Sequence, residues 1–320
     1  NFDQNRFYSL FYAFCFSILA NPSMGTPFPD HYSTFLSLMG IFFFLLAIKK
    51  EKKIFWLLVP VCFFLGFLSK QSPSSYILLV LLVSILIYIK NSKNLIFIKY
   101  FLISSIMCLL FLFIFFYFNK IELQQFIYQY ILFPKTIAAE RIENYQITLN
   151  GIFFQFKFIY FFLGLLLIIL LTSKKSFRKN LKFLYSIILI LLTIVLIFHQ
   201  IVTKNFIFIF FLIPMLACVV QINIPNSFKY RNLAVIFLIS LTFLLTLKYH
   251  LRFNEERKML NLENLDLKKK VDAKSLHPSL KGLQWITYDY HKEPATEIAL
   301  IKESMKAVSY THLRAHETRH

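Results

Sequence analysis

The sequence predicts an all-α polytopic membrane protein of about nine transmembrane helices, followed by a small α/β segment on the outer face of the membrane. Three observations lead there. First, 58% of the 320 residues are hydrophobic and 18% aromatic, and the mean hydropathy of +0.61 is more than the surface of a water-exposed domain of this size tolerates. Second, nine apolar runs of about 14 to 20 residues, long enough to read as spans, cover 7–20, 32–48, 54–69, 74–89, 100–118, 152–171, 183–199, 206–220 and 232–248. Third, the connections between them alternate in charge. Fourteen Lys and Arg fall in the set 49–53, 90–99, 172–182 and 221–231, and five in the opposite set.

In chain order, the start at Asn1 lacks a methionine, and a membrane-type pattern is under way by Phe7, so upstream sequence is expected. After the first run comes a polar break, Asn21–Tyr32 (NPSMGTPFPDHY), whose prolines and glycine end a helix. Positive-inside reasoning puts the basic set in the cytoplasm. The islands Asn21–His31, Lys70–Pro73, Asn119–Asn150 and His199–Asn205 then share the outer side. In 119–150, Phe126, Ile127, Tyr130 and Ile131 recur at helical spacing before Pro134 breaks the pattern, which predicts an amphipathic helix on the interface.

From Tyr249 onward the composition turns mixed and charged. Residues 1–249 therefore read as the multi-pass membrane domain and 250–306 as a small extracytoplasmic α/β segment. Within the latter, His250–Leu276 reads as a helix, 283–290 (LQWITYDY) as a strand, and Pro294 as the start of another helix. The end, 307–320 (AVSYTHLRAHETRH), resembles a translated sequencing-adapter tail and is set aside as an artefact, together with its His312, His316 and His320 stripe.

The formal charge of +19 sits in short clusters between apolar runs, not on one basic face, so it reads as topology and not as nucleic-acid binding. The four cysteines lie inside apolar runs without metal-type spacing and read as small hydrophobes. Phosphate loops, nucleophile elbows and zinc motifs are absent.

The functional candidates are polar residues at the ends of spans. Asp30 is an acid held at the membrane surface beside His31, which marks it for function, and the alternative is that it caps the helix it precedes. His31 reads either as its partner or as a surface residue. Arg141, flanked by Glu140 and Glu143, is either half of a local ion pair or a fork of donors suited to a lipid phosphate. Lys70, Gln71, His199 and Lys204 are the remaining polar groups grouped with that phosphate role.

PFPDHYSTFLSLMGIFFFL (27–45) and LGFLSKQSPSSYILL (65–79) together resemble the GT-C superfamily of membrane glycosyltransferases, with its bacterial aminoarabinose and protein mannosyltransferases. Asp30 matches an acid that begins a helix in that family. Gly66, Phe67, Leu68, Ser69 and Lys70 loosely match a later basic turn, and HQIVTKNFIFIFFLIP (199–214) looks like a late helix of such enzymes. The resemblance covers roughly residues 1 to 250. It implies transfer of a sugar from a polyprenyl-phosphate donor to a glycan, lipid or protein acceptor among the membrane lipids. A carboxylate would take the acceptor's proton, and Lys70, Arg141 or Lys204 would stabilise the leaving phosphate. It also implies that the main base precedes Asn1, and that Asp30 is a second acid, placed to help hold a divalent metal ion or to position the acceptor. The alternatives are an O-antigen ligase or polymerase, which would use arginine and histidine of the large loop, and a transporter or flippase, which would need ionisable groups in mid-helix.

Overall fold

The computed structural model describes residues 6–20, 28–92, 95–143, 149–172, 181–203, 208–254, 270–286 and 293–317. Every apolar run becomes a helix: α1 Arg6–Ala20, α2 Pro29–Lys50, α3 Lys53–Ser69, α4 Gln71–Ser92, α5 Ile96–Phe118, α8 Gln155–Thr172, α9 Leu181–Thr203, α10 Leu212–Asn223 and α11 Arg231–Asn254. Between α5 and α8 lie two shorter helices, α6 Leu123–Phe126 and α7 Phe133–Glu143. Among the described residues five helices, α2, α4, α5, α9 and α11, are long and apolar enough to cross a membrane, while α1, α3, α8 and α10 are shorter apolar helices. The architecture is that of a helical membrane protein.

Packing follows from side-chain size. α2 and α3 form an antiparallel hairpin joined by Glu51, whose left-handed φ of 56° ends α2 with an N–H to Ala47 O bond. Small residues set how closely they approach. Ser33, Ser37 and Gly40 recur at helical spacing on α2, and a Cβ added at Gly40 would lie 2.6 Å from the Phe63 ring, so the two helices meet as small-residue faces do in membranes. Near the far end of this hairpin Phe44, Trp56, Tyr88 and Phe97 pack ring on ring, with Trp56 and Phe97 stacked at 4.5 Å. Lys53 Nζ lies 5.6 Å from the Tyr100 ring beside them, as cations and aromatics do at a membrane boundary.

α10 forms the middle of the bundle, with Leu212, Ile213, Leu216 and Ala217 all fully buried. By contrast, Leu102, Met107, Phe111, Ile114 and Tyr117 of α5 are exposed, a greasy face that suits hydrocarbon and not water.

The interfacial stretch departs from expectation at Pro134. The helix continues through it: α6 passes into a π-helical turn, Ile127–Leu132, and then into α7, with Pro134 as that helix's second residue. A proline there lacks only an N–H that the wide π turn does not need. The chain splits into two compact units, Asn1–Glu255 and Glu256–His320. Of the helix expected over His250–Leu276, residues 255–269 lie outside the described residues. Residues 250–254 belong to α11, and Lys270–Asp272 is strand β1, paired antiparallel with β2 (Gln284–Ile286) in the register Val271 to Trp285. Gly282 takes a φ of 91° in the turn between the strands. The second helix expected after Tyr249 is present as α12, Pro294–Glu317, and Trp285 Nε1 donates to its Glu297 at 2.9 Å.

Candidate functional site at the Asp30 end of the bundle

Chain direction decides which residues can meet. α2 starts, α3 ends, α4 starts and α9 ends with the residues discussed here, and the side-chain bonds between them put these termini on one face of the bundle. The α2–α3 turn, about 33 Å away at 1.5 Å per residue, lies at the other end of the 22-residue α2.

Pro29, with its fixed φ, opens α2 after the extended Phe28, and Asp30 is the second helical residue. Phe28, not Asp30, holds the N-cap position, and Asp30 Oδ1 takes no backbone N–H, so Asp30 is not the cap of this helix. Instead Asp30 Oδ2 accepts a hydrogen bond from Lys70 Nζ at 2.6 Å, with the two side chains 7% and 35% exposed. The buried acid thus holds a half-open ammonium that keeps further N–H donors free to face outward. On the other side His199 Nε2 lies 3.3 Å from Asp30 Oδ1, within ion-pair reach though off the strict hydrogen-bond line. Gln200 Nε2 lies 3.2 Å from His199 Nδ1. With the amide in that orientation the proton of a neutral ring sits on Nε2, facing the carboxylate.

A ladder of hydroxyls fixes Lys70 in this place. Ser33 Oγ donates to Lys70 O at 2.8 Å, Ser37 Oγ donates to Ser33 O at 2.7 Å, and Ser37 and Ser74 hydroxyls meet at 2.9 Å. Gly66 makes room for it. A Cβ there would lie 2.7 Å from Ser37 Oγ, 3.1 Å from Ser33 O and 3.2 Å from Ser74 Oγ. The next turn is held from the interfacial stretch: Gln71 Nε2 donates to Tyr130 O, and Tyr130 OH donates to Phe67 O. Pro134 has no N–H to offer the Tyr130 carbonyl four residues earlier, and Gln71 takes that place. Burial pushes the Tyr130 phenol up to about 12, which keeps it a donor at neutral pH.

His31 is 4% exposed and so is not a surface residue. Its ring meets the Phe28 ring edge-on at 4.1 Å and lies 5.3 Å from Phe208. Phe208 in turn lies 6.1 Å from His199, whose other neighbour is Tyr76 at 6.0 Å. Five buried side-chain atoms in this region have no hydrogen-bond partner: Asp30 Oδ1, His31 Nδ1, Thr34 Oγ1, His199 Nε2 and Gln200 Oε1. Each costs about 1–3 kcal/mol if nothing polar meets it.

Of the sequence-predicted residues, Asp30, Lys70 and His199 come together, His31 stands beside them, and Gln71 serves as a tether of the interfacial stretch. Arg141 lies in α7, but its side chain is outside the described residues, as are Glu140, Glu143 and all of Lys204. Sequence reasoning missed Gly66's packing role, the serine ladder, Thr34, Gln200 and Tyr130. The spacing of Ser33, Ser37 and Gly40 on one helical stripe was the available signal. For a divalent ion, the described residues gather no group of three His, Cys, Asp or Glu, and the ammonium of Lys70 already lies on one of Asp30's oxygens. No step below is routed through a metal. The chain matches no family model, no curated protein and no solved structure.

Proposed function

We propose that the chain is a glycosyltransferase that moves a sugar from a polyprenyl-phosphate-linked donor to a lipid, glycan or protein acceptor. In this reading all nine apolar helices span a bacterial cytoplasmic membrane, and the Asp30 end faces outward. The observation that carries it is the Asp30–Lys70 pair, a buried carboxylate holding a half-exposed ammonium at 2.6 Å where helix ends meet at one face of an apolar bundle. Intramembrane ionisable groups of this kind mark function by default.

In the reaction the bond between the anomeric carbon and the phosphate oxygen breaks, one to the acceptor hydroxyl oxygen forms, and that hydroxyl's proton passes to the carboxylate base that the family resemblance implies. Negative charge grows on the leaving phosphate. Lys70, positioned from below by Asp30 and by the Ser33 hydroxyl on its carbonyl, turns its remaining donors to that charge. Asp30 acts through Lys70 on this account and positions it. The apolar surroundings strengthen the interaction by keeping water out.

The test is transfer of labelled sugar from polyprenyl-phosphate donors by membranes carrying the protein or its Lys70→Gln variant. A fall of about a hundredfold or more is expected, the size of losing one stabilising donor of the transition state. Equal transfer by Lys70→Gln overturns the reading.

A further inference from the structure

A second cationic feature stands at the Asp30 end of the bundle, away from the Asp30–Lys70 pair. Lys157 lies in the first turn of α8 and Lys248 near the end of α11. Their ammoniums converge on one ring: Lys157 Nζ is 5.3 Å and Lys248 Nζ 4.9 Å from the centroid of Phe158. Aromatic contacts tie that ring to the face already described. Phe158 meets Tyr249 edge-on at 6.3 Å, and Tyr249 stacks at 4.0 Å on Phe210. Phe210 belongs to the turn Ile209–Phe211 that leads from Phe208 into α10.

A ring face attracts cations, but two ammoniums drawn to the same ring repel each other. Among the described residues no carboxylate offsets them, since the ion pairs found there are both on Asp30. Both lysines are exposed and Phe158 is half-buried, so an anion from outside can reach the two charges. The general bias of membrane proteins toward basic loops on one side accounts for Lys49 and Lys50 at the end of α2 and for Lys229 before α11. It does not account for Lys157 and Lys248, which sit at the opposite ends of their helices.

The surface beneath the lysines selects the kind of anion. Both close an apolar stretch, Lys157–Thr172 in α8 and Arg231–Leu251 in α11, which places them at head-group depth. One turn further into the bundle, on the same helix faces, Phe161 follows Lys157 by four residues and Leu244 precedes Lys248 by four, and both are exposed. Each helix thus presents an ammonium above an open apolar side chain, the polarity of a lipid with a charged head and hydrocarbon tails. We propose that Lys157 and Lys248 seat an anionic membrane phospholipid, its phosphate between the two ammoniums and its acyl chains along Phe161 and Leu244. α8 and α11 both pack on α10, and a lipid held by one lysine from each bridges them and stabilises the bundle. A zwitterionic choline lipid brings its own cation to the pair and binds less well. The site requires only that the bundle sits in a membrane, and so stands apart from the glycosyl-transfer reading.

The experiment is native mass spectrometry of the full chain in detergent, titrated with phosphatidylglycerol or phosphatidylcholine, alongside thermal unfolding followed by circular dichroism. Phosphatidylglycerol should be retained in preference to phosphatidylcholine and should raise the unfolding midpoint. Lys157→Gln and Lys248→Gln keep much of the side-chain stem, and each should weaken retention about fivefold, with about 25-fold for the pair, the worth of a basic residue at an anionic lipid surface. Replacing both by arginine keeps the charge and should keep the lipid. Lys229→Gln is the control: its Nζ lies 5.4 Å from the ring of the next residue, Tyr230, the same local geometry as Lys157 on Phe158 but without a second ammonium there among the described residues. It should leave retention and unfolding unchanged. Should the double glutamine variant fail to fold, the two single variants decide. Equal retention of the two lipids, retention undiminished by the glutamine variants, or an equal loss in Lys229→Gln overturns the proposal. Displacement of the lipid by millimolar inorganic phosphate also overturns it, since the seat would then be one for a soluble anion.

Discussion

Gly66→Ala tests whether the close approach of α2 and α3 is what holds Lys70 on Asp30. The added methyl would lie 2.7 Å from Ser37 Oγ. That hydroxyl can rotate away only by giving up its bonds to Ser33 O at 2.7 Å and Ser74 Oγ at 2.9 Å, about 0.5–1.5 kcal/mol each. The Ser33 carbonyl, 3.1 Å from the methyl, is backbone and cannot rotate, so the helices must part, an overpacking cost of about 1–3 kcal/mol. Alanine's better helix propensity returns about 0.5–1 kcal/mol. The net expectation is a loss of about 1–5 kcal/mol. Because Ser33 also holds the Lys70 carbonyl, the ammonium shifts with α3, and a displacement of about 1 Å at a charged centre is enough for a loss near a hundredfold. The assays are thermal unfolding in detergent followed by circular dichroism, and sugar transfer. Gly164→Ala is the control, since a Cβ there meets nothing within 4 Å, and its stability should hold or rise slightly. Adding Ser37→Gly to Gly66→Ala should recover part of both losses. Wild-type stability and transfer in the Gly66→Ala protein would refute the argument.

Asp30→Asn keeps the shape and one acceptor for Lys70 but removes the charge that holds and orients the ammonium. Transfer should fall by about a hundredfold or more with helix content unchanged, and full activity would remove Asp30 from the site. Reporter fusions at Lys50 and Lys175 should read cytoplasm, and fusions at Glu143 and Leu267 should read outside. A cytoplasmic signal at Glu143 would put the whole Asp30 end on the wrong face for an outer-leaflet enzyme.

Hydropathy made the helices legible because a run of Phe, Leu and Ile long enough to span has few other uses. Their ends were less so: α2 begins at Pro29, three residues before the apolar run, and α11 continues to Asn254, since helices extend through polar residues once nucleated. Asp30 and Lys70 could be put on one side by the alternation of direction alone, but their contact depends on lateral packing. That packing is set by Gly66, Ser33 and Ser37, small residues that look like gaps in an apolar pattern. His199 meeting Asp30 was out of reach, because nothing in a span's composition says which neighbour it lies beside. After Tyr249 the strand Lys270–Asp272 was not legible, because three residues carry too few alternations to stand out from a helical spacing.

The two ends of the bundle differ in the kind of polarity they bury, which bears on where chemistry belongs. Toward the α9 start and the α10 end, Tyr12 OH donates to Gln221 at 2.6 Å and Asn223 donates to Ser186 Oγ at 2.9 Å. These are neutral groups bonded to one another across helices, and such pairs hold helices together in lipid at modest gain. At the Asp30 end the buried groups include a carboxylate and two imidazoles, with acceptors and donors left open. A charge removed from water and incompletely paired lowers the stability of the fold, and neutral residues of the same size would serve packing better. Its presence at helix termini, where a head group or an acceptor from solution can reach Lys70, is the arrangement expected when a ligand completes the hydrogen bonding. The serine ladder then has a second consequence. By tying Lys70 O to α2 it makes the position of the ammonium depend on the same helix that carries the acid.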